Sequence, residues 1–273
     1  MKTIFVDKVA SVAQHNNLGY ELRVSRDIPC NEGVLIAVKI LNNKSRYNQL
    51  ELISGRMSTL KEGDIIELFD GEGLSCKANI TLCSKRNTEV ELISSPQIST
   101  RSNKHLIAVL PYIKKDNMAF MTQKLTELEV TKIIFFKPDR LDQSLIKKDL
   151  SKFKDKLNEV VIGACKQSGI NYLPTLEYFE GLQEVLNTDA ISKKTSFVCF
   201  FDLEATDLLS ADDIEQKDEY IFISGPESGF SDQERSIMVE KGVTPKSLGK
   251  NTLRAETAPI ISATLIQSFV GNI

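Results

Sequence analysis

Histidine, paired cysteines and long apolar runs are scarce in this 273-residue chain, and each shortage excludes a class of protein. Its five cysteines are scattered and form no Cys-x-x-Cys pair, so the chain is not a disulfide scaffold and its thiols are expected to be reduced. The two histidines, His15 and His105, are far apart, and we interpret both as structural or exposed. With so few sulfur and imidazole ligands, we expect no metal site.

No apolar run approaches the roughly 20 residues that a membrane-spanning helix needs. The N-terminal stretch is interrupted by Asp7 and Lys8, so it lacks the apolar core of a signal peptide. We therefore expect a cytoplasmic protein that does not contact a membrane. Its length allows one or two domains, and a chain of this size buries roughly three quarters of its unfolded surface without help from disulfides.

Charge is unevenly distributed, although the formal net charge is only −3. Residues 23–61 hold seven basic and three acidic side chains, and residues 99–176 hold 14 basic and eight acidic ones. Residues 177–224 hold three basic and 12 acidic side chains. The composition thus excludes a protein that is basic throughout but allows a local face that attracts phosphate backbones.

The chain divides into two regions with different patterns. Residues 1–93 contain short β-type segments at 34–40, 65–69 and 90–93 with glycine turns, which favours a small β-barrel. Residues 94–103 are polar and are interpreted as a linker. Residues 104–273 are expected to form the second domain.

Strands and helices alternate in that second region, which predicts a parallel α/β sheet covered on both faces. Strands are predicted at 105–110, 132–136, 197–201 and 220–224, and helices at 116–129, 148–167, 231–240 and 253–269. Asp116 is a candidate N-cap, and Ser231-x-x-Glu234 is a capping-box pattern. The last helix carries Ala258, Ile261, Leu265 and Phe269 on one face, which fits either the core or a dimer interface.

Two loops carry the chemistry that the sequence offers. The first, Ser-Gly-Pro-Glu-Ser-Gly-Phe-Ser at 224–231, lies between a buried strand and a capped helix, where α/β proteins bind ligands. It is neither a dinucleotide-binding nor a P-loop pattern. The second, at 247–258, places Arg254 near the start of a helix, where a cation opposes the helix dipole and so suggests an anionic partner. The alternative is a surface pair of Arg254 with Glu256.

These two loops resemble the paired motifs GPEGGFS and LGxRILRxETA of the RsmE family, the 16S rRNA (uracil-N3)-methyltransferases of the SPOUT superfamily. Three further stretches are similar to that family in the same order: residues 63–71 (GDIIELFDG), 121–130 (MTQKLTELEV) and 164–169 (ACKQSG) with Pro174. Five ordered motifs between residues 60 and 260 make a chance match untenable.

The resemblance implies a PUA-like N-terminal barrel that holds rRNA and a trefoil-knotted C-terminal domain that binds S-adenosylmethionine, with the protein acting as a homodimer. It also implies site residues. The implied cofactor-binding residues are Leu203, Ser224, Gly225, Pro226, Glu227, Gly229, Leu248, Gly249 and Leu253. Arg254 matches the family's substrate-side arginine, and Arg140 matches an upstream arginine that contacts RNA. The histidine and arginine usual in the family's barrel are not evident here, and Arg56, which lies near their place, is our candidate substitute as an RNA contact. We take Glu256 as catalytic together with Arg254.

The sequence departs from the family at several positions. Ser228 replaces a glycine and adds a Cβ where a positive φ is expected. Asn251 and Ile170 replace arginines, which weakens the RNA-binding half of the inference.

The expected reaction is attack of uracil N3 on the sulfonium methyl group, with the base unpaired or flipped out. Arg254 would stabilise the N3 anion or a flanking phosphate, and Glu227 and Glu256 are both candidates for the base. Alternatives are an inactive rRNA-binding homologue, a SPOUT enzyme acting at another RNA position, and an unrelated α/β enzyme that binds a nucleotide at the glycine loop. The sequence does not identify the modified uridine, nor whether free rRNA or an assembled subunit is the substrate.

Overall fold

The computed structural model describes residues 2–5, 22–26, 34–40, 48–54, 61–83, 87–141, 151–192, 196–214 and 217–273. Contacts divide the chain into two units: Met1–Arg101 with Ile162–Leu173, and Ser102–Val161 with Pro174–Ile273. In the described part of the chain, no helix is both long and apolar enough to cross a bilayer.

The first unit contains one mixed sheet. Its strands are β1 (Lys2–Phe5), β2 (Leu22–Arg26), β3 (Val34–Ile40), β4 (Asn48–Ser54), β5 (Ile65–Phe69), β6 (Leu74–Cys83), β7 (Asn87–Leu92) and β8 (Gln97–Ile98). The strand order is β1-β5-β6-β7-β2-β3-β4, with β8 paired to β6. All pairings are antiparallel except that of β1 with β5. The predicted strands at 34–40 and 65–69 are confirmed, and the predicted strand at 90–93 overlaps β7.

A short segment of later sequence packs on this sheet. Tyr172 lies beside Gly73, where an added Cβ would come within 2.3 Å of the tyrosine ring. The Tyr172 hydroxyl donates to the carbonyl of Ser99 at 3.0 Å, and Arg101 stacks over the ring at 4.9 Å. The glycine at position 73 is therefore required by close packing as well as by its φ of 102°.

The second unit contains a six-stranded parallel sheet with helices between its strands. In chain order the elements from residue 105 onward are β9 (His105–Pro111), α1 (Lys115–Glu127), β10 (Lys132–Phe136), α2 (Ser151–Ser168), β11 (Thr175–Phe179), α3 (Leu182–Leu186), α4 (Asp189–Ser192), β12 (Ser196–Phe201), β13 (Glu219–Ser224), α5 (Asp232–Glu240), β14 (Thr244–Lys246) and α6 (Thr257–Phe269). The residues of α2 from Ile162 onward belong to the first unit. A 3-10 turn spans Ala211–Asp213. The strand order is β11-β10-β9-β13-β12-β14. The predicted α/β class with a parallel sheet is thus confirmed.

Apolar side chains cover both faces of this sheet, as its strands require. One buried cluster includes Leu106, Ala108, Leu110 and Phe222 with residues of α1 and α6, and the other includes the intervening positions such as Ile107. Alternate residues of one strand therefore enter different cores. Because both faces are buried, the central strands are continuously apolar, which is why the sequence located four of them.

The fully buried face of the final helix, α6, differs from the apolar face that the sequence pattern indicated. Its buried residues are Pro259, Ser262, Ala263, Ile266 and Gln267, whereas Ala258, Ile261, Leu265 and Phe269 are only partly buried. Gln267 is buried because its Nε2 donates to the carbonyl of Leu128 at 2.7 Å. Leu265 and Phe269 of the predicted face pack against the core as partly buried residues, and the fully buried face lies about one residue step away. An apolar pattern does not locate that face because it gives no weight to buried polar side chains that find partners.

Of the two helix N-termini for which a capping residue was predicted, one is confirmed and the other is wrong. Ser231 caps α5: its Oγ accepts from the Glu234 backbone N–H at 3.0 Å, and its own N–H donates to Glu234 Oε2 at 2.8 Å. The predicted N-cap role of Asp116 is wrong, since the cap position of α1 is Lys114 and Asp116 lies in the first turn. There its charge favours the helix dipole without capping it.

Candidate functional site

A cavity opens at the carboxyl ends of β12, β13 and β14, where the parallel sheet presents the loops that follow each strand. Such loops converge because parallel strands end at the same edge. All nine residues predicted to bind the cofactor line this cavity: Leu203, Ser224, Gly225, Pro226, Glu227, Gly229, Leu248, Gly249 and Leu253. Thus the structure brings together three stretches that are separated in sequence.

The loop after β13 has no positive φ at Ser228, where the sequence analysis expected one. Gly229 has a φ of 70°, whereas Glu129 is the one non-glycine residue with positive φ in the part of the chain that the structure describes. Ser228 therefore occupies an ordinary backbone conformation, and the concern that its Cβ is misplaced is wrong. The left-handed position of the motif is Gly229, one residue later.

A buried lysine joins two walls of the cavity. Lys246, the last residue of β14, is 3% exposed, and its Nζ donates to Asp207 Oδ2 at 2.6 Å and to Asp213 Oδ1. The Ser247 N–H donates to the Asp207 carbonyl at 2.7 Å, and the Asp202 N–H to the Lys246 carbonyl at 3.1 Å. The loop after β12 and the loop after β14 are therefore held as one unit.

The electrostatics of this cluster favour its charged state. Burial by itself would lower the pKa of Lys246, but its hydrogen bonds to Asp207 and Asp213 outweigh burial and raise it. Burial likewise opposes ionisation of Asp213, yet hydrogen bonds from Lys246 and Ser210 bring the pKa of that carboxyl below its usual value. The lysine is thus a permanent cation at neutral pH.

A second ion pair holds the loop after β12 against α5. Arg235 Nε lies 2.6 Å from Asp202 Oδ2, and Nη1 lies 3.2 Å from Glu204 Oε1. Asp202 is almost buried, and hydrogen bonding to it raises the pKa of Arg235 above its already high value. Arg235 and Asp202 both line the cavity, so they are charged wall residues as well as supports.

Arg254 and Glu256, the predicted catalytic pair, lie beside the cavity without lining it. The Arg254 side chain is 86% exposed, and its Nη1 lies 3.8 Å from Glu256 Oε1. Glu256 is mostly buried, accepts from Asn117 Nδ2 at 3.3 Å and occupies the N-cap position of α6. The predicted helix start at residue 253 is wrong, because Arg254 lies in the turn before the helix.

Arg140 belongs to the loop after β10. Its Nη1 donates to the Ser228 carbonyl at 3.1 Å, and the Ser228 hydroxyl donates to the Arg140 carbonyl at 3.2 Å. Arg56, the other predicted RNA contact, lies outside the described residues. Among the residues that the structure describes, no group of three or more histidine, cysteine, aspartate or glutamate side chains is placed to hold a metal ion.

Known proteins resemble this chain in sequence and in fold. The model of the RNA methyltransferase domain family matches residues 100–267, which is more than half of the chain. This chain belongs to the RNA methyltransferase domain family.

Two curated relatives carry closely similar names. The ribosomal RNA small subunit methyltransferase E 1 of Borreliella burgdorferi is 30% identical over 150 residues, which cover 55% of this chain and 61% of that protein. The chain thus spans about three-fifths of that relative's length. Ribosomal RNA small subunit methyltransferase E of Buchnera aphidicola is 26% identical over 220 residues, covering 78% of this chain and 83% of that protein.

A solved structure carries the same name. Ribosomal RNA small subunit methyltransferase E from Neisseria gonorrhoeae, bound to S-adenosyl methionine, superposes with a TM-score of 0.68 at 28% identity. The match covers 77% of this chain and 84% of that one. The RsmE resemblance inferred from the five motifs is confirmed.

Other residues that line this cavity were not named as cofactor-binding from the sequence. They are Phe201, Asp202, Phe230, Arg235, Ser247, Asn251, Thr252, Ala255 and Ala258. Asp202 directly follows a buried strand, so the strand-end argument used for the glycine loop could have found it. Arg235 lies inside a helix, and no local signal distinguishes it from a solvent-facing arginine.

Proposed function

We propose that this chain transfers a methyl group from S-adenosylmethionine to N3 of a uridine in 16S ribosomal RNA. The observation that carries the proposal is the single cavity formed by the loops after β12, β13 and β14, which contains all nine implied cofactor residues. The names of its relatives support methylation of small-subunit ribosomal RNA, and the ligand of the Neisseria structure supports the cofactor. The N3 position comes from the RsmE resemblance.

The cavity has the chemistry of a site for a charged nucleoside. Leu203, Leu248 and Leu253 offer apolar surface for a purine ring, and the glycines let backbone N–H and C=O groups approach its edge. When bound, S-adenosylmethionine supplies an electrophilic methyl group on a sulfonium. The residues of the chain hold that group in line with its acceptor, and positioning of this kind accounts for a large part of such rate enhancements.

We propose that Arg254 meets negative charge on the RNA substrate, either the N3 anion or a flanking phosphate. Its side chain is exposed and can therefore contact a ligand, and its Nη1 lies 3.8 Å from Glu256 Oε1. Glu256 in turn accepts a hydrogen bond from Asn117, so we assign it as a positioning residue for the arginine. A donor aimed at developing charge is worth about 100- to 1,000-fold in rate.

We propose that the N-terminal region, residues 1–93, is a PUA-like barrel that holds rRNA with the help of Arg56, followed by a linker at 94–103. The approach of β1 to β4, the two ends of its strand order, supports closure of the sheet. Residues 104–273 would form a trefoil-knotted SPOUT domain, in which Arg140 contacts RNA.

We further propose that the protein works as a homodimer in the cytoplasm. Ile261 and Leu265 of α6 are partly exposed beside the buried face of that helix, which leaves apolar surface for a second copy. Equilibrium sedimentation at micromolar concentration should show a dimer, and a monomer alone would contradict this assignment.

Reverse transcription of small-subunit rRNA tests the proposed reaction. An N3-methyl group blocks Watson–Crick pairing, so incubating unmodified subunits or rRNA with protein and cofactor should create one new stop at a uridine. A rise in melting temperature with S-adenosylhomocysteine but no stop would favour the inactive homologue. Transfer of methyl without a stop would favour another RNA position.

A further inference from the structure

A second cavity lies along the same sheet edge, at the carboxyl ends of the neighbouring strands β10, β9 and β13. Its lining residues are Tyr112, Ile113, Arg140, Leu141, Pro226, Glu227 and Ser228. None of the loops after β12 and β14 contributes to it. This cavity therefore stands beside the cofactor cavity on the side of β9.

The two cavities share one wall. Pro226 and Glu227 line both, whereas Ser228 and Arg140 line only the second and Leu248 only the first. A methyl donor and its acceptor must approach to roughly 3–3.5 Å before transfer. Because the two cavities share two residues of one loop, ligands bound in them would lie on either side of the same wall.

The lining of the second cavity suits a heteroaromatic ring. Tyr112, Ile113, Leu141 and Pro226 present aromatic and apolar surface, on which an unstacked base can lie. Glu227 adds an exposed carboxylate, which accepts hydrogen bonds only. A uracil ring offers one N–H to such an acceptor, at N3, since N1 is bonded to the ribose.

Hydrogen bonds fix the walls of this cavity. Ser231 Oγ donates to Asp139 Oδ2 at 2.5 Å, and the Asp139 N–H donates to Glu234 Oε1 at 3.1 Å. The reciprocal pair of Arg140 and Ser228 adds two more bonds between the same loops. The loop after β10 is thus tied to the loop after β13, which holds both walls of the cavity in place.

We propose that the second cavity is the binding site of the extruded acceptor base, with Glu227 as the proton acceptor at the boundary between the two cavities. This inference rests on the proposed function and assigns its acceptor subsite. N3 gives its proton to the Glu227 carboxylate and its electron pair to the methyl carbon. The pair of the broken carbon–sulfur bond stays on sulfur, so the products are N3-methyluridine, S-adenosylhomocysteine and protonated Glu227.

A bulky substitution at Ser228 tests the location, because this residue lines only the second cavity. Ser228→Trp should leave the affinity for S-adenosylhomocysteine unchanged by calorimetry and reduce methyl transfer at least about 100-fold, since a misplaced acceptor loses that much. Ser228→Ala controls for the lost hydroxyl, and Val239→Trp, on an exposed position of α5, controls for bulk. Normal transfer by Ser228→Trp, or loss of its cofactor affinity, would overturn the assignment.

Photocrosslinking separates this inference from the proposed function. RNA carrying 4-thiouridine at the uridine found by reverse transcription is irradiated with wild-type protein and S-adenosylhomocysteine. Crosslinks are expected at Tyr112 or at 226–228, and they should disappear in Ser228→Trp. Methylation by the wild type with crosslinks only elsewhere overturns the acceptor site and keeps the reaction, whereas absence of methylation overturns both.

The proton-acceptor role of Glu227 has a separate test. Glu227→Gln should reduce kcat at neutral pH and recover at alkaline pH, where uracil N3 ionises without a base. Because Glu227 also lines the cofactor cavity, kcat is compared at saturating S-adenosylmethionine for both proteins. A pH–rate profile of Glu227→Gln parallel to that of the wild type would show that the carboxylate does not accept the proton.

Discussion

Two cations near the cofactor cavity differ in almost every physical respect. Lys246 is 3% exposed and contacts two carboxylates, whereas the Arg254 side chain is 86% exposed and has one partner at 3.8 Å. A buried, fully paired cation has no capacity for a ligand, and its removal leaves the partner carboxylates uncompensated. An exposed cation contributes little to stability but can meet a new anion. Under the proposed function, the ion pairs of Lys246 hold the loops of the cofactor cavity together, while Arg254 is left to contact an anion of the RNA.

Removal of Arg254 should produce the largest effect. Arg254→Ala is expected to lower kcat about 100- to 1,000-fold, because a donor to developing charge is lost. Affinity for S-adenosylhomocysteine, measured by calorimetry, should not change. Lys250→Ala, an exposed residue of the same loop outside the cavity lining, is the matched control. If Arg254→Ala loses cofactor affinity instead, the arginine belongs to the cofactor site.

Lys246→Met should lower stability and cofactor affinity rather than the rate of the chemical step. Removing one partner leaves Asp213 and Asp207 without their cation, which should cost about 1–3 kcal/mol of unfolding free energy in urea titrations, since water reaches the exposed Asp207. The KM for S-adenosylmethionine should rise more than kcat falls. Lys241→Met, an exposed lysine bonded to Asn187, should change neither. Equal loss of kcat in saturating cofactor would show that Lys246 does more than position the loops.

The same cluster predicts a pH dependence of stability. The pKa of Asp213 is lowered in the folded state, so its contribution is present above its unfolded pKa and is lost as pH falls below about 4. The pKa of Lys246 is raised, so its contribution is complete below about pH 10 and is lost at higher pH. The unfolding free energy of Lys246→Met should therefore vary less at both extremes than that of the wild type.

A smaller effect is expected from backbone strain in the cavity wall. Gly249 has a φ of 125° with open space where a Cβ would lie, so Gly249→Ala should cost about 1–2 kcal/mol from conformation alone. Cofactor affinity should fall with it, because the loop must move. Gly163, a helical glycine with equally open surroundings, is the control, and Gly163→Ala should stabilise by about 0.5–1 kcal/mol. Equal thermal shifts for both variants would contradict this interpretation.

Arg140→Gln should have the smallest effect, a change in the salt dependence of RNA binding. It tests whether a second exposed arginine behaves as Arg254 does rather than as the buried Lys246. Loss of one phosphate contact should reduce the slope of log affinity for RNA against log salt by about one. Binding of S-adenosylhomocysteine should be unaffected, since Arg140 lies outside the cofactor cavity. An unchanged salt slope would place the arginine away from RNA.

Prediction from sequence succeeded where a local pattern has one structural solution. The strand at 132–136 was located to the residue, because a short apolar run between polar segments fits a buried parallel strand. The capping box at Ser231 was also correct, since both of its hydrogen bonds are local. The strand β14, with the sequence Thr-Pro-Lys, was missed because its pairing with β12 alone makes it a strand.

Prediction failed where burial depended on distant partners. Ser262 and Gln267 lie on the buried face of α6, although both look like surface residues in sequence. Lys246 is likewise buried, because Asp207 and Asp213 reach it from another loop. Polar side chains enter a core when their hydrogen bonds are satisfied there, and those partners are invisible to a periodicity argument.

The sequence by itself determined the α/β class, the two glycine-containing loops and, through its ordered motifs, the methyltransferase family. These properties follow from local periodicity and from residue identity, both of which are readable along the chain. Only the tertiary structure decided that three loops form one cavity, that Pro226 and Glu227 separate it from a second one, and which cation is buried. Proximity and burial depend on contacts between residues far apart in sequence, and folding alone brings those residues together.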